Sequence, residues 1–276
     1  MLPYQIKLPE YQTSCVIFNS PHSGRHFPKG FLDMTILSSL SLRSSEDLFV
    51  DQIFSPIVHL GSILMSATFP RSYVDVNRDH KELDPLLVKD LKSFSRTSKV
   101  TAGLGVIPRV VAMQKPIYSK KISKKEVKDR LEKFYFPYHE KLREVLSYTH
   151  GLFQKAILLD CHSMPSNIEK NNGHKNLADV VLGDCFGSSC ENSILFLLKR
   201  LFLDAGFKVD INMPFSGGFI TKNYSNPEQN YHVIQIEFLR SLYSDEKNQT
   251  RCPKFSKFQH KVLSVFEEFI KCISNN

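Results

Sequence analysis

Two stretches of this chain share one build, and together they narrow the folds open to it. Residues 15–25 read CVIFNSPHSGR and residues 156–166 read AILLDCHSMPS. Each is a short apolar run that closes on a polar turn with a histidine, His22 in the first and His162 in the second. Such runs, bounded by turn formers, read as buried strands. The carboxyl ends of parallel strands form the common ligand face of an α/β sheet, so two strands ending in histidine could bring both imidazoles together. The plain alternative is two unrelated histidines, each satisfied where it stands.

The rest of the chain keeps to that pattern. Further strands are expected at Ile63–Thr68, Tyr73–Val76, Val180–Leu182, Lys208–Asn212 and Val233–Phe238, beside those at Cys15–Asn19 and Ala156–Asp160. Helices are expected at Ser44–Phe54, Lys124–Thr149, Asn192–Ala205 and Phe255–Ile273. Strands alternating with helical spacing indicate an α/β domain. In the last helix Phe255, Phe258, Val262, Phe266, Phe269, Ile270 and Ile273 fall on one face, which should pack on the body. Gly206 is placed to stop the third helix, and Pro137 to begin, end or kink a segment of the second. Residues Leu83–Gln114 have weaker periodicity and include TAGLGVIPRV, so a long excursion near the active face is expected there. No linker is evident, and a single domain over residues 1–276 is expected.

Composition sets the outer limits. Apolar content of 42% and charged content of 23% describe an ordinary globular chain. Its charge, 36 − 28 = +8, suits anionic partners, but the lysines are spread thin and no nucleic-acid module signature is present. The run Lys120–Lys125 reads as the solvated start of a helix. No apolar run approaches the ~20 residues of a membrane span, and the opening MLPYQIKLPE lacks the pattern of a signal peptide. Six cysteines without CxxC spacing imply neither a disulfide framework nor a cysteine zinc cluster, and a cytoplasmic setting is expected.

A catalytic zinc site takes three protein ligands and keeps an open position. The stretch SSEDLFVDQIF offers Glu46 and Asp47 at the start of an expected helix, where the simpler reading is an acidic first turn facing the helix dipole. In FPRSYVDVNRD, Arg71, Asp75, Asn77 and Arg78 alternate with apolar residues. They form a salt-bridge network, or they bind a carboxylate and a developing oxyanion. In HVIQIEFLRSLY, Gln235 and Glu237 share one strand face while Ile234, Ile236 and Phe238 share the other. A carboxylate within an apolar strand needs a partner, a metal or a task. Gly217 and Gly218 either make a tight turn or let backbone N–H groups approach a substrate. His26, His59, His80, His139, His150, His174 and His260 are read as structural or surface residues. His232, five residues before Glu237 on the opposite face, is left open.

Taken together, NSPHSGRHFP, EDLFVD, RSYVDVNR, GLGVIPRV, LLDCHSMP, ADVVLGDCFGSSC, PFSGGFIT and QIEFLRSLY, in this order from about residue 15 to 245, resemble the N-formylglutamate amidohydrolase family. The family is related to zinc carboxypeptidases and aspartoacylases. The resemblance implies a three-layer αβα fold with a mixed, mostly parallel sheet (phosphorylase/hydrolase-like) and one zinc ion. It implies His22, Asp47 and His162 as ligands, with Asp47 favoured over Glu46, and Glu237 as general base. Carboxypeptidase-like relatives follow the first histidine with a glutamate in an HxxE motif; here that position is Arg25, so the carboxylate ligand must come from elsewhere. By the same resemblance Arg71 polarises the scissile carbonyl and Asn77 and Arg78 hold a substrate carboxylate. Arg109 or Arg240 would add a cation, and Gly217 and Gly218 would line the site. The implied reaction is zinc-dependent hydrolysis of N-formyl-L-glutamate to formate and L-glutamate, the last step of one histidine-degradation route. The alternatives are hydrolysis of another N-acyl amino acid or small peptide, or a non-catalytic binding protein that kept the fold.

Overall fold

The computed structural model describes residues 2–92, 94–166 and 178–275, so His174 lies outside the described residues. The chain divides into two compact units. One comprises Met1–Gln5, Pro21–Glu46 and Ser66–Leu142, and the other Ile6–Ser20, Asp47–Met65 and Arg143–Asn276. We call them the loop unit and the sheet unit after what dominates each.

Strands β1 (Tyr4–Lys7), β2 (Val16–Ser20), β3 (Ile63–Ala67), β4 (Val110–Val111), β5 (Lys115–Pro116) and β6 (Ala156–Met164) come first in the chain. They are followed by β7 (Val180–Gly183), β8 (Val209–Ile211), β9 (Tyr231–Leu239), β10 (Ser244–Asp245) and β11 (Thr250–Arg251). Among the described residues, seven form one sheet in the order β1-β3-β2-β6-β9-β7-β8. Pairs β2·β6, β6·β9 and β7·β8 are parallel and β7·β9 is antiparallel, so the sheet is mixed and mostly parallel, and helices flank it. No helix among the described residues is long and apolar enough to cross a membrane.

The sheet unit is built on strand alternation. Odd positions of β6 (Ile157, Leu159, Cys161) and even positions of β9 (Ile234, Ile236, Phe238) enter one apolar core. The helices Asn192–Asp204 and Phe255–Ser274 close that core with Leu195, Leu198, Phe202, Val262, Phe266 and Phe269. Phe18 meets Phe266 edge-on at 5.0 Å and Phe238 meets Phe258 at 5.3 Å, the geometry aromatic pairs prefer. The first of these helices ends as expected: Gly206, at φ 75°, donates to the Leu203 carbonyl and Phe207 to that of Phe202. The ring of Phe207 then packs on that of Phe202 at 5.7 Å, completing a hydrophobic C-cap.

Three expectations fail, each for a local reason. Tyr73–Val76 is no strand, because the Asp75 carboxylate accepts from the Asn77 N–H at 2.9 Å and turns the chain. Ser44–Phe54 is no continuous helix. It splits into a 3₁₀ turn, Arg43–Ser45, and a short helix, Val50–Ile53, with Glu46 extended and Phe49 left-handed at φ 60°. Glu46 and Asp47 therefore face no helix dipole. Lys124–Thr149 divides into Lys124–Arg130, a π-turn at Leu131–Tyr135 and a helix Phe136–Phe153. Pro137 is the second residue after the π-turn, which accommodates its missing N–H.

Candidate active site

The sheet unit presents a polar face opposite its core. The β6·β9 register sets His162 beside Glu237 and Asp160 beside Gln235. All four are buried on that face. Because β6 runs to Met164, His162 lies within the strand and not in a turn after it. Its Nε2 is 2.8 Å from Asp160 Oδ2 and its Nδ1 2.9 Å from Asp47 Oδ2. Asn19 at the end of β2 donates to the other oxygen of Asp160 at 2.8 Å. Asp47 is held in turn by Arg240, whose Nη2 lies 3.2 Å from Oδ1 and whose Nε donates to Ser163 Oγ at 3.0 Å. Gln235 Nε2 donates to Glu237 Oε1 at 2.9 Å. Burial opposes charge on His162, but Asp160, Asp47 and Glu237 outweigh it and hold its pKa well above the usual imidazole range. The histidine thus stands where its surroundings call for a cation.

The loop unit gathers its charges around Asp75. His22 Nε2 lies 2.8 Å from Asp75 Oδ1, and Arg71 Nη2 lies 2.7 Å from Oδ2. Arg78 Nε lies 4.0 Å from the same oxygen and donates to the Leu104 carbonyl at 3.0 Å, while its Nη1 donates to that of Asn77 at 2.7 Å. Burial works against ionising Asp75, yet Arg71, His22 and Arg78 together hold its carboxyl well below the usual range. The turn after His22 is pressed against the chain at Phe69, and only glycine fits at Gly24, where a Cβ would overlap the Phe69 carbonyl. Glu46 is taken by two arginines, Arg25 Nε at 2.8 Å and Arg43 Nε at 2.7 Å. Arg109 Nε pairs with Asp84 at 2.7 Å.

A buried imidazole backed by carboxylates, beside a strand-borne glutamate, is what metal-assisted hydrolysis requires. Comparison with known proteins says which kind. Residues 14–244 match the N-formylglutamate amidohydrolase family. This chain belongs to that family, whose members hydrolyse amides. The solved N-formylglutamate amidohydrolase of Ralstonia eutropha JMP134 superposes with a TM-score of 0.92 and 30% identity, covering 98% of this chain and 99% of that one. The N-formylglutamate deformylase of Pseudomonas putida is 28% identical over 234 residues, 84% of this chain and 82% of that protein. The deformylase of Pseudomonas aeruginosa is 27% identical over 235 residues, with coverage of 84% and 83%. The Atu2144 product of Agrobacterium tumefaciens shares the fold, with a TM-score of 0.71 at 14% identity over 99% of this chain and 95% of that one.

Within this amidohydrolase the remaining candidates are placed as follows. Gly217, at φ 127°, leaves no room for a side chain, since a Cβ would lie 2.6 Å from Cys185 Sγ. Gly218 caps the helix Phe219–Tyr224 and its N–H donates to Thr221 Oγ1 at 3.2 Å. Both glycines therefore have a turn-and-cap role. Arg240, expected as a cation for substrate, is instead buried against Asp47 and Ser163. Asn19 and Ser163 are not among the sequence candidates; the available signal is position, Asn19 lying three residues before His22 and Ser163 directly after His162. His232 is fully buried, neither ring nitrogen has a hydrogen-bond partner among the described residues, and Glu191 Oε1 stands 3.9 Å away. Burial, then Lys155, lowers its pKa, with Glu191 acting in opposition.

Proposed function

We propose that this amidohydrolase cleaves N-formyl-L-glutamate to formate and L-glutamate with one zinc ion held by His22, Asp47 and His162. These are the group among the described residues whose donor atoms could share one ion. The donor chemistry fits, because two imidazoles and a carboxylate suit zinc. In each ring Nε2 is committed to a buried aspartate, Asp75 for His22 and Asp160 for His162, so we assign Nδ1 of both to the metal. Asp47 is favoured over Glu46, which already serves Arg25 and Arg43. When bound, zinc would supply the positive charge that eases ionisation of water and accepts charge from the acyl oxygen.

The chain's own groups account for the rest. Glu237, oriented by Gln235, takes a proton from the attacking water as the new C–O bond forms at the formyl carbon. The same carboxyl returns the proton to the glutamate nitrogen as the C–N bond breaks. Arg71, aligned by Asp75, stabilises charge on the acyl oxygen, and Asn77 and Arg78 hold the α-carboxylate. The observation that most supports the reading is the strand register that sets His162 beside Glu237. Formate release from N-formyl-L-glutamate should vanish on chelation and return with zinc. Release that survives complete metal removal would overturn the metal assignment. No release by zinc-loaded protein would redirect the search to other N-acyl amino acids.

A further inference from the structure

The π-turn Leu131–Tyr135 lies against the loop that carries Arg71 and Arg78, and three side chains at or beside it hold that loop. Arg130, fully buried, donates through Nη1 to the Tyr73 carbonyl at 3.2 Å and to Tyr118 Oη at 2.7 Å. Its guanidinium lies 4.2 Å from the centre of the Tyr73 ring, a cation–π contact. Phe134 meets the rings of Phe69 and Tyr73 edge-on, both at 5.1 Å. The buried Tyr135 donates its hydroxyl to the Arg78 carbonyl at 2.7 Å. Residues 130 and 134 share a face in any α-helix, but five residues make about 1.4 turns and would leave 135 roughly 140° from 130. Here Phe136 N–H bonds the Leu131 carbonyl. That i→i+5 closure widens the turn and swings Tyr135 towards the side on which Arg130 and Phe134 act.

The group that Tyr135 grips matters for the guanidinium it belongs to. Arg78 is tied to backbone at two of its three nitrogens, Nε to the Leu104 carbonyl and Nη1 to that of Asn77. Its Nη2 makes no hydrogen bond among the described residues, and the side chain is 13% exposed, so one end of the guanidinium is left for a carboxylate. Where that end points depends on the backbone at Asn77 and Arg78, because one of its two anchors is the carbonyl of the residue next to it. Asp75 fixes this backbone from one side, accepting from the Asn77 N–H at 2.9 Å. Tyr135 fixes it from the other, at the Arg78 carbonyl. A neutral hydroxyl can do this without competing for the guanidinium, as a further carboxylate would.

We infer that Tyr135 is a positioning residue for substrate binding: through the Arg78 carbonyl it sets the guanidinium that takes the α-carboxylate. The π-turn is the local distortion that brings it there. The inference rests on the deformylase reading and on the place of Arg78 within it. The test is steady-state formate release from N-formyl-L-glutamate by zinc-loaded wild type, Tyr135→Phe, Arg78→Ala and the double variant. Tyr135→Phe removes a single oxygen and should raise KM about threefold to tenfold, the worth of one hydrogen bond, with kcat held within about twofold. In the Arg78→Ala background the same substitution should leave KM unchanged, because the side chain it positions is gone. A merely structural role would cost the same in both backgrounds. That equality, an unchanged KM in Tyr135→Phe, or a loss carried by kcat would overturn the role of Tyr135 alone. An Arg78→Ala variant with the wild-type KM would overturn the Arg78 anchor, and this inference with it. A wild type that releases no formate would overturn the deformylase reading itself.

Discussion

The polar face of β6 and β9 and the loops from Arg71 to Arg109 hold their functional groups by different means. On the strands, Asp160, His162, Gln235 and Glu237 are placed by a parallel ladder whose backbone bonds leave little freedom, and the side chains add contacts among themselves. Among the described residues of the loops no ladder exists, and side chains hold one another: Arg71 on Asp75 and Arg109 on Asp84. The difference suits the tasks proposed for them. Proton transfer and metal binding need donors fixed to a fraction of an ångström, which buried strands provide. Recognition of a charged substrate tolerates longer, more adaptable side chains, provided a carboxylate keeps each guanidinium from wandering.

The sharpest way to separate these two kinds of placement is at Glu237. Glu237→Gln keeps size and strand position but removes the proposed base, and kcat should fall by about 10²–10⁴-fold, the range for general base catalysis. Zinc content, measured by atomic absorption, should stay stoichiometric; loss of zinc would make Glu237 a ligand. A smaller effect should distinguish the two aspartates behind the imidazoles. Asp160→Asn should weaken zinc affinity by about 10–100-fold, as is typical of groups that orient metal ligands, and leave KM in place once zinc is saturating. Asp75→Asn should do both, because Asp75 also holds Arg71, so KM should remain raised at saturating zinc. Identical behaviour of the two variants would erase the contrast.

The smallest effect should come from His232, on the core side of the sheet. Burial lowers its pKa, so the folded protein holds it neutral while the unfolded chain protonates near the ordinary value of about 6.5. Its contribution is then complete above that pH and is lost as pH falls through the window below it, by at most about 1.4 kcal/mol per pH unit. Urea unfolding from pH 7 to 5 should show a steeper decline in wild type than in His232→Leu. Equal slopes would mean that Glu191, 3.9 Å away, offsets the burial.

Much of the fold was legible because its signals are local. The apolar runs at β2, β3, β6, β7, β8 and β9 and the stripes of the helices Asn192–Asp204 and Phe255–Ser274 are written in adjacent residues. The short β1 and the left-handed break at Phe49 were not legible. A four-residue edge strand has too few positions to show a period, and a left-handed phenylalanine has no compositional cue. At the site, the residue types could be read but not their partners. Glu46 and Asp47 are neighbours with the same chemistry, and only folding sends one to Arg25 and Arg43 and the other to His162 and Arg240.

By itself, then, the sequence determined the α/β class, the strands that run to the ligand face and the stock of imidazoles, carboxylates and guanidiniums available there. Those follow from side-chain periodicity and composition, which need no knowledge of distant residues. The tertiary structure alone decided that β6 continues past His162, since the ladder to Leu239 extends the strand beyond its apolar run. It alone decided that Arg240 is buried against Asp47. The reason is that an ion pair depends on where a group of opposite charge arrives, and in this chain that group comes from as far as 193 residues away.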